Sequence, residues 1–187
     1  IADGAKEATK PKDISLVVDV SGSMAGVKLE QTKAALRQVL GGLNDGDVFN
    51  VISYQSGVVP LWDAGKPLTA DTRKEAMDFV EGLRATGGTN IDGALQMALA
   101  QPVRAGLPRV ILFLTDGRPT MGETTDADEI LKRAAKLNVA GKARIFVFGV
   151  GVDLNPALLD RLALENHGVP TYVRPNEDVE RKVASLY

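Results

Sequence analysis

The chain has 187 residues, 44% hydrophobic and 25% charged, with 22 basic and 24 acidic side chains and a net charge of −2. That length suits one domain with a sizeable core, and the even charge balance argues against nucleic acid, whose phosphates need a clustered basic surface. The absence of cysteine and the single histidine, His167, exclude disulfides, thiolate metal sites and zinc sites built on two or three histidines.

No run approaches the roughly 20 apolar residues of a membrane span, so no membrane insertion is expected of this domain. The chain opens on Ile1 rather than Met, which points to an excised domain or a processed product, so the lack of a secretory signal pattern says little about compartment. Residues 1–12, IADGAKEATKPK, are polar and without periodicity and read as a linker or N-terminal arm.

ISLVVDV is then a continuous apolar run of strand length, the pattern of a strand buried on both faces. KLEQTKAALRQVLGGL follows with Leu29, Leu36, Val39, Leu40 and Leu43 at helical spacing. NDGD is a turn, VFNVISY a second strand, and QSG turns the chain back into VVPLW. Pro60 confines that partner to a sheet edge, because proline cannot donate to a ladder. Thr69 to Leu83 is a helix with Ala76, Phe79, Val80 and Leu83 on one face, and Thr72 with Glu75 is a candidate capping box. ATGGTN is a loop and IDGALQMALA a short helix.

RVILFLT is the next buried strand, followed at once by an acid, Asp116. DADEILKRAAKLN is a helix, ARIFVFGVG a strand with a glycine-rich exit, and NPALLDRLALE a helix capped by Asn155 with Pro156 at its first position. PTYVRP reads as a last strand and NEDVERKVASLY as a closing helix. Alternating strands and helices with one hairpin predict an α/β fold. It is a Rossmann-like, open, mostly parallel six-stranded sheet with one antiparallel edge strand and helices on both faces.

In such a sheet, ligands bind beyond the carboxyl ends of the strands, where strand order reverses. Asp19, Ser21 and Ser23 end the first strand, Asp116 ends RVILFLT, and Thr89 lies in the GGTN loop between them. If the two strands are neighbours, these five oxygen-bearing side chains converge on one crevice. A set without nitrogen or sulfur suits hard cations such as Mg²⁺ or Mn²⁺. A cation also lets two carboxylates approach each other. Taken singly the same residues have plainer readings: Asp19 as a loop cap, and the serines as the N-cap of the next helix.

DVSGS matches the D-x-S-x-S motif of the von Willebrand factor type A domain family. GGTN and LTDG match its later threonine and last aspartate. The resemblance runs from about Lys12 to the end, so that residues 13–187 form the domain. KDISLVVDVSGSM, LNDGDVFNVISY and TDGRPT are most similar to the type A domains of inter-alpha-trypsin inhibitor heavy-chain-like proteins. The resemblance implies a metal-ion-dependent adhesion site at Asp19, Ser21, Ser23, Thr89 and Asp116. Ser21, Ser23 and Thr89 would be direct ligands, and the two aspartates direct or water-mediated ones. It implies Mg²⁺ or Mn²⁺, with Ca²⁺ ranked below them, and a protein partner whose Asp or Glu carboxylate completes the coordination. MAG lacks the acids of an adjacent second cation site, so one metal is expected. The resemblance further implies a non-enzymatic module of a larger multidomain protein, extracellular or at the cell surface.

Around this core, Asn90 and Asp92 read as helix caps or as supports of the site, and Arg118 as a loop arginine near it. His167 reads as a surface residue at a helix end, and Trp62 as packing on the edge strand. Two other functions remain open: an Mg²⁺-dependent phosphotransferase-like enzyme, and a structural domain whose metal staples its loops. Against the first, Ser21 stands where a D-x-D motif has its second acid. Against a serine hydrolase, SGS is not the G-x-S-x-G elbow.

Overall fold

The strand β1, Asp13–Asp19, is buried along its whole length and sits in the middle of the sheet. In the computed structural model, residues 10–174, 177–178 and 181–182 are described. After β1, a 3-10 turn over Gly22–Met24 leads into α1, Val27–Gly41. β2, Val48–Tyr54, and the short strands β3, Val58–Pro60, and β4, Lys66–Pro67, precede α2, Ala70–Gly82. Then come α3, Ile91–Leu99, β5, Arg109–Thr115, α4, Ala127–Gly141, β6, Arg144–Val150, α5, Pro156–Glu165, and β7, Pro170–Val173. Most of the expected closing helix, and most of the expected N-terminal arm, lie outside the described residues.

The sheet runs β3-β2-β1-β5-β6-β7. β1 pairs in parallel with β2 on one side and β5 on the other, and β5, β6 and β7 continue in parallel. Chain order therefore reverses between β1 and β5, which places the carboxyl ends of these two strands at the switch point. The hairpin strand β3 is antiparallel to β2, as Pro60 requires of an edge. The chain adds one strand to those expected, the two-residue β4, also antiparallel to β2. Two residues are too few to show strand periodicity, so the sequence carries no sign of it.

Side chains alternate across the sheet and build two cores. Leu16, Val18, Phe49, Val51, Leu112 and Leu114 pack with α1 and α2. Val17, Ile52, Ile111, Phe113, Ile145 and Val147 pack with α3, α4 and α5. This double coverage is why the strands read as unbroken apolar runs. Trp62 packs edge-on against Phe49, with ring centroids 5.3 Å apart, and donates from Nε1 to Glu75 at 2.9 Å.

One expected cap is displaced. The capping box of α2 pairs Thr69 with Thr72, not Thr72 with Glu75: Thr72 N donates to Thr69 Oγ1 at 3.1 Å and Thr69 N to Thr72 Oγ1 at 2.8 Å. Thr72 is thus the third helical residue rather than the cap, because pairing of Lys66–Pro67 with β2 brings Leu68 and Thr69 to the helix entrance.

Candidate metal centre

The core pattern delivers β1 and β5 side by side, and their ends carry the polar residues. Val18 lies opposite Leu114, so Asp19 and Thr115 stand level at the strand ends and Asp116 follows one residue on. Asp19 Oδ1 accepts from Ser21 N at 2.8 Å, and Ser21 Oγ lies 3.2 Å from Ser23 Oγ. Ser23 Oγ donates to Asp116 Oδ1 at 2.8 Å, and Asp116 N donates back to Asp19 Oδ2 at 3.4 Å. Four of the five residues named from sequence thus form a closed ring of contacts across two loops.

Thr89 is held beside that ring through its backbone. The loop before it is pinned to the first by Thr86 N donating to Val20 O at 2.9 Å and Gly22 N to Gly87 O at 3.0 Å. Thr89 O accepts from Thr120 N and Met121 N of the β5–α4 loop, and Thr89 N donates to Thr120 Oγ1 at 2.9 Å. The β2–β3 turn braces the other side: Gly88 N donates to Ser56 Oγ at 2.9 Å and Asn90 Nδ2 to Ser56 O at 3.1 Å. The hydroxyls of Thr89 and Ser23 both lie near Gly117, where an added Cβ would lie 3.7 Å from one and 4.0 Å from the other.

Asp19, Ser21, Thr89 and Asp116 are buried, whereas Ser23 opens to solvent. Burial pushes the Asp19 carboxyl above its ordinary range and the neighbouring Asp116 charge adds to this, while hydrogen bonds from Ser21 and Thr115 pull it back. Beneath them the Tyr54 hydroxyl is also pushed well up by burial and by the Asp19 charge. Two enclosed acids, lined by hydroxyls and amides and met at the rim by the Lys28 ammonium, form an acidic pit. The donor set, two carboxylates and three hydroxyls, fits a hard divalent cation.

The serines are not the N-cap of α1. That position is Gly26, with φ of 82°, and no side chain caps it. Asn90 does cap α3, accepting from Gly93 N at 2.8 Å. Asp92 is buried and meets Arg133 of α4 at 3.0 Å, tying α3 to α4 rather than facing the site. Arg118 is exposed.

Two neighbours of the site escape the sequence reading. Thr115 Oγ1 donates to Asp19 Oδ2 at 2.8 Å. Lys28 Nζ lies 2.7 Å from Asp116 Oδ2 and donates to Ser23 O at 3.3 Å. A signal for Lys28 exists in the sequence: a cation in the first turn of a helix is opposed by the helix dipole and needs an anion nearby.

The chain is similar to known proteins over most of its length. The family model described as von Willebrand factor type A domain matches residues 12–171. Human inter-alpha-trypsin inhibitor heavy chain H4 is 33% identical over 187 residues, covering 96% of this chain and 20% of that protein. The chain thus spans about one fifth of the length of such relatives. Among solved structures, a von Willebrand factor type A protein from Catenulispora acidiphila superposes with a TM-score of 0.82 at 22% identity, over 94% of this chain and 42% of that one. Proximal thread matrix protein 1 from the mussel byssus, with a zinc-occupied metal-ion-dependent adhesion site motif, superposes at 0.73 and 20% identity, over 94% and 45%. At these identities the structures show the shared fold. By its family match over most of its length, the chain belongs to the von Willebrand factor type A domain family.

Proposed function

We propose that the chain is a non-enzymatic, divalent-cation-dependent protein-binding module. The observation that carries this reading is the closed ring Asp19–Ser21–Ser23–Asp116 at the switch point, with the Ser23 and Thr89 hydroxyls both close to Gly117. The family commonly mediates metal-dependent protein interactions, which supports it. Asp19, Ser21, Ser23, Thr89 and Asp116 would hold the ion. The zinc-occupied motif of the mussel protein supports a divalent ion in this fold, and the all-oxygen set here favours a hard cation over a softer metal; Mg²⁺ or Mn²⁺ is proposed ahead of Ca²⁺ on the family resemblance. When bound, the ion supplies an electrophilic centre for a carboxylate oxygen of a partner's Asp or Glu. The chain's own residues do the rest: the buried carboxylates supply the charge that attracts the ion, and the three pinned loops keep the hydroxyls in place. Kinship with the heavy chains favours a larger, extracellular or cell-surface parent protein.

Isothermal titration of chelator-treated protein tests the reading. One Mg²⁺ or Mn²⁺ event is expected, lost in Asp19→Ala and Ser21→Ala. Silence of the unaltered protein sinks the metal site. Phosphatase turnover that depends on Asp19 overturns the non-enzymatic reading instead.

A further inference from the structure

Lys28 stands where its charge matters most. It occupies the second position of α1, at the positive end of the helix dipole, so an ammonium there is disfavoured without a compensating anion. The anion is Asp116, whose carboxylate is shared: Oδ1 accepts from Ser23 Oγ at 2.8 Å and Oδ2 from Lys28 Nζ at 2.7 Å. The lysine side chain is 34% exposed and that of Asp116 fully enclosed, so Lys28 reaches into the pit from its rim. A second bond, to Ser23 O at 3.3 Å, holds it over the motif. On the far side the β6–α5 loop turns at Gly151, with φ of +101°, and a Cβ there would come within 3.4 Å of Lys28 Nζ and Cε.

The charge balance follows. Asp19 and Asp116 offer two negative charges to an incoming cation, and Lys28 offsets one of them at contact distance. We infer that Lys28 sets the affinity of the metal site: by counter-charging Asp116 it weakens the site's intrinsic hold on a divalent cation. The inference rests on the metal reading above and adds a residue to it. Coulomb repulsion between an ammonium and a divalent ion a few ångströms away remains substantial even in a watery rim, on the order of a tenfold effect on affinity.

The test is titration with Mn²⁺ alone of three chelator-treated proteins: unaltered, Lys28→Gln and Lys28→Arg. Their melting temperatures in chelator establish that each is folded, and the rise in melting temperature on adding Mn²⁺ gives an independent second readout. Lys28→Gln is expected to bind Mn²⁺ about tenfold tighter and to gain more in melting temperature. Lys28→Arg, which keeps the charge, is expected to stay close to the unaltered protein. Equal or weaker binding by Lys28→Gln overturns the inference and leaves the metal site standing. Equal tightening by both variants also overturns it, since charge is then not the cause. Absence of Mn²⁺ binding in all three overturns the metal reading and the inference with it.

Discussion

The Thr115 hydroxyl donates to Asp19 Oδ2 at 2.8 Å, between the ends of the two neighbouring strands where sheet order reverses. Both groups are fully enclosed, so neither has water to fall back on.

Thr115→Val keeps the shape and removes the donor. It should cost about 1–3 kcal/mol, the penalty for leaving a buried acceptor short of a partner. Urea denaturation in chelator measures it. An unchanged midpoint and slope would mean that Asp19 does not depend on this bond.

Asp13, at the start of β1, supplies a prediction about pH. It is buried beside its register partner Arg109. Burial raises its carboxyl above the ordinary 3.8, against the opposing pull of Arg109 and Arg104. Between 3.8 and the raised folded value the folded chain binds more protons than the unfolded one. Stability from this group therefore falls as pH rises through that window, and the cost is fully present above it. Asp13→Asn lacks this slope. Its melting temperature relative to the unaltered protein should shift in its favour as pH rises from the ordinary carboxylate value of 3.8 through the raised folded one. A difference that is constant with pH would contradict this.

The sheet was legible because every central strand is covered on both faces and so reads as an apolar run ending at a polar residue, as β1 does at Asp19. Four of the five site residues meet in one ring because their motifs sit at strand ends, whose neighbourhood follows from topology. Thr89 was harder, since its place depends on clamps from the β2–β3 turn and the β5–α4 loop, which no local pattern announces. Thr115 was hidden for the same reason, its partner lying 96 positions away, while for Lys28 the first-turn position signals the need for an anion but not which one, since its partner lies 88 positions away. The α2 cap was misread because T-x-x-E at Thr72 matches a capping box by spacing alone, and the short strand β4 decides where the helix starts.

His167 and Gly168 end α5 with opposite demands. His167 takes φ of 56°, and the chain closes with Gly168 N donating to Ala163 O at 2.9 Å and His167 N to Leu164 O at 3.4 Å. This Schellman closure favours glycine at the left-handed position. His167→Gly relieves that strain, partly offset by a freer unfolded chain, and should stabilise by about 0.5 kcal/mol. Gly168→Ala goes the other way, because its Cβ would lie 1.8 Å from Ile145 O, a backbone atom of β6. It should cost about 3 kcal/mol or more. Thermal melts of the two variants check the pair, and a loss of stability in His167→Gly would contradict the strain assigned there.

Gly117 separates folding from metal binding. A Cβ at this position meets the Thr89 and Ser23 hydroxyls only at ordinary contact distances, 3.7 and 4.0 Å, and the residue has no positive φ that would penalise alanine. Gly117→Ala should therefore melt within about 1 kcal/mol of the unaltered protein in chelator. The added methyl nevertheless stands within 4.0 Å of two of the hydroxyls assigned to the ion. The variant should lose most Mn²⁺ affinity, and with it the rise in stability that a ligand present at about a hundred times its dissociation constant brings, roughly 2.7 kcal/mol. Melts with and without Mn²⁺ distinguish the outcomes. Full metal-induced stabilisation in Gly117→Ala would place the ion away from the Ser23 and Thr89 hydroxyls. A collapse of stability in chelator would make this glycine a requirement of the fold rather than of the site.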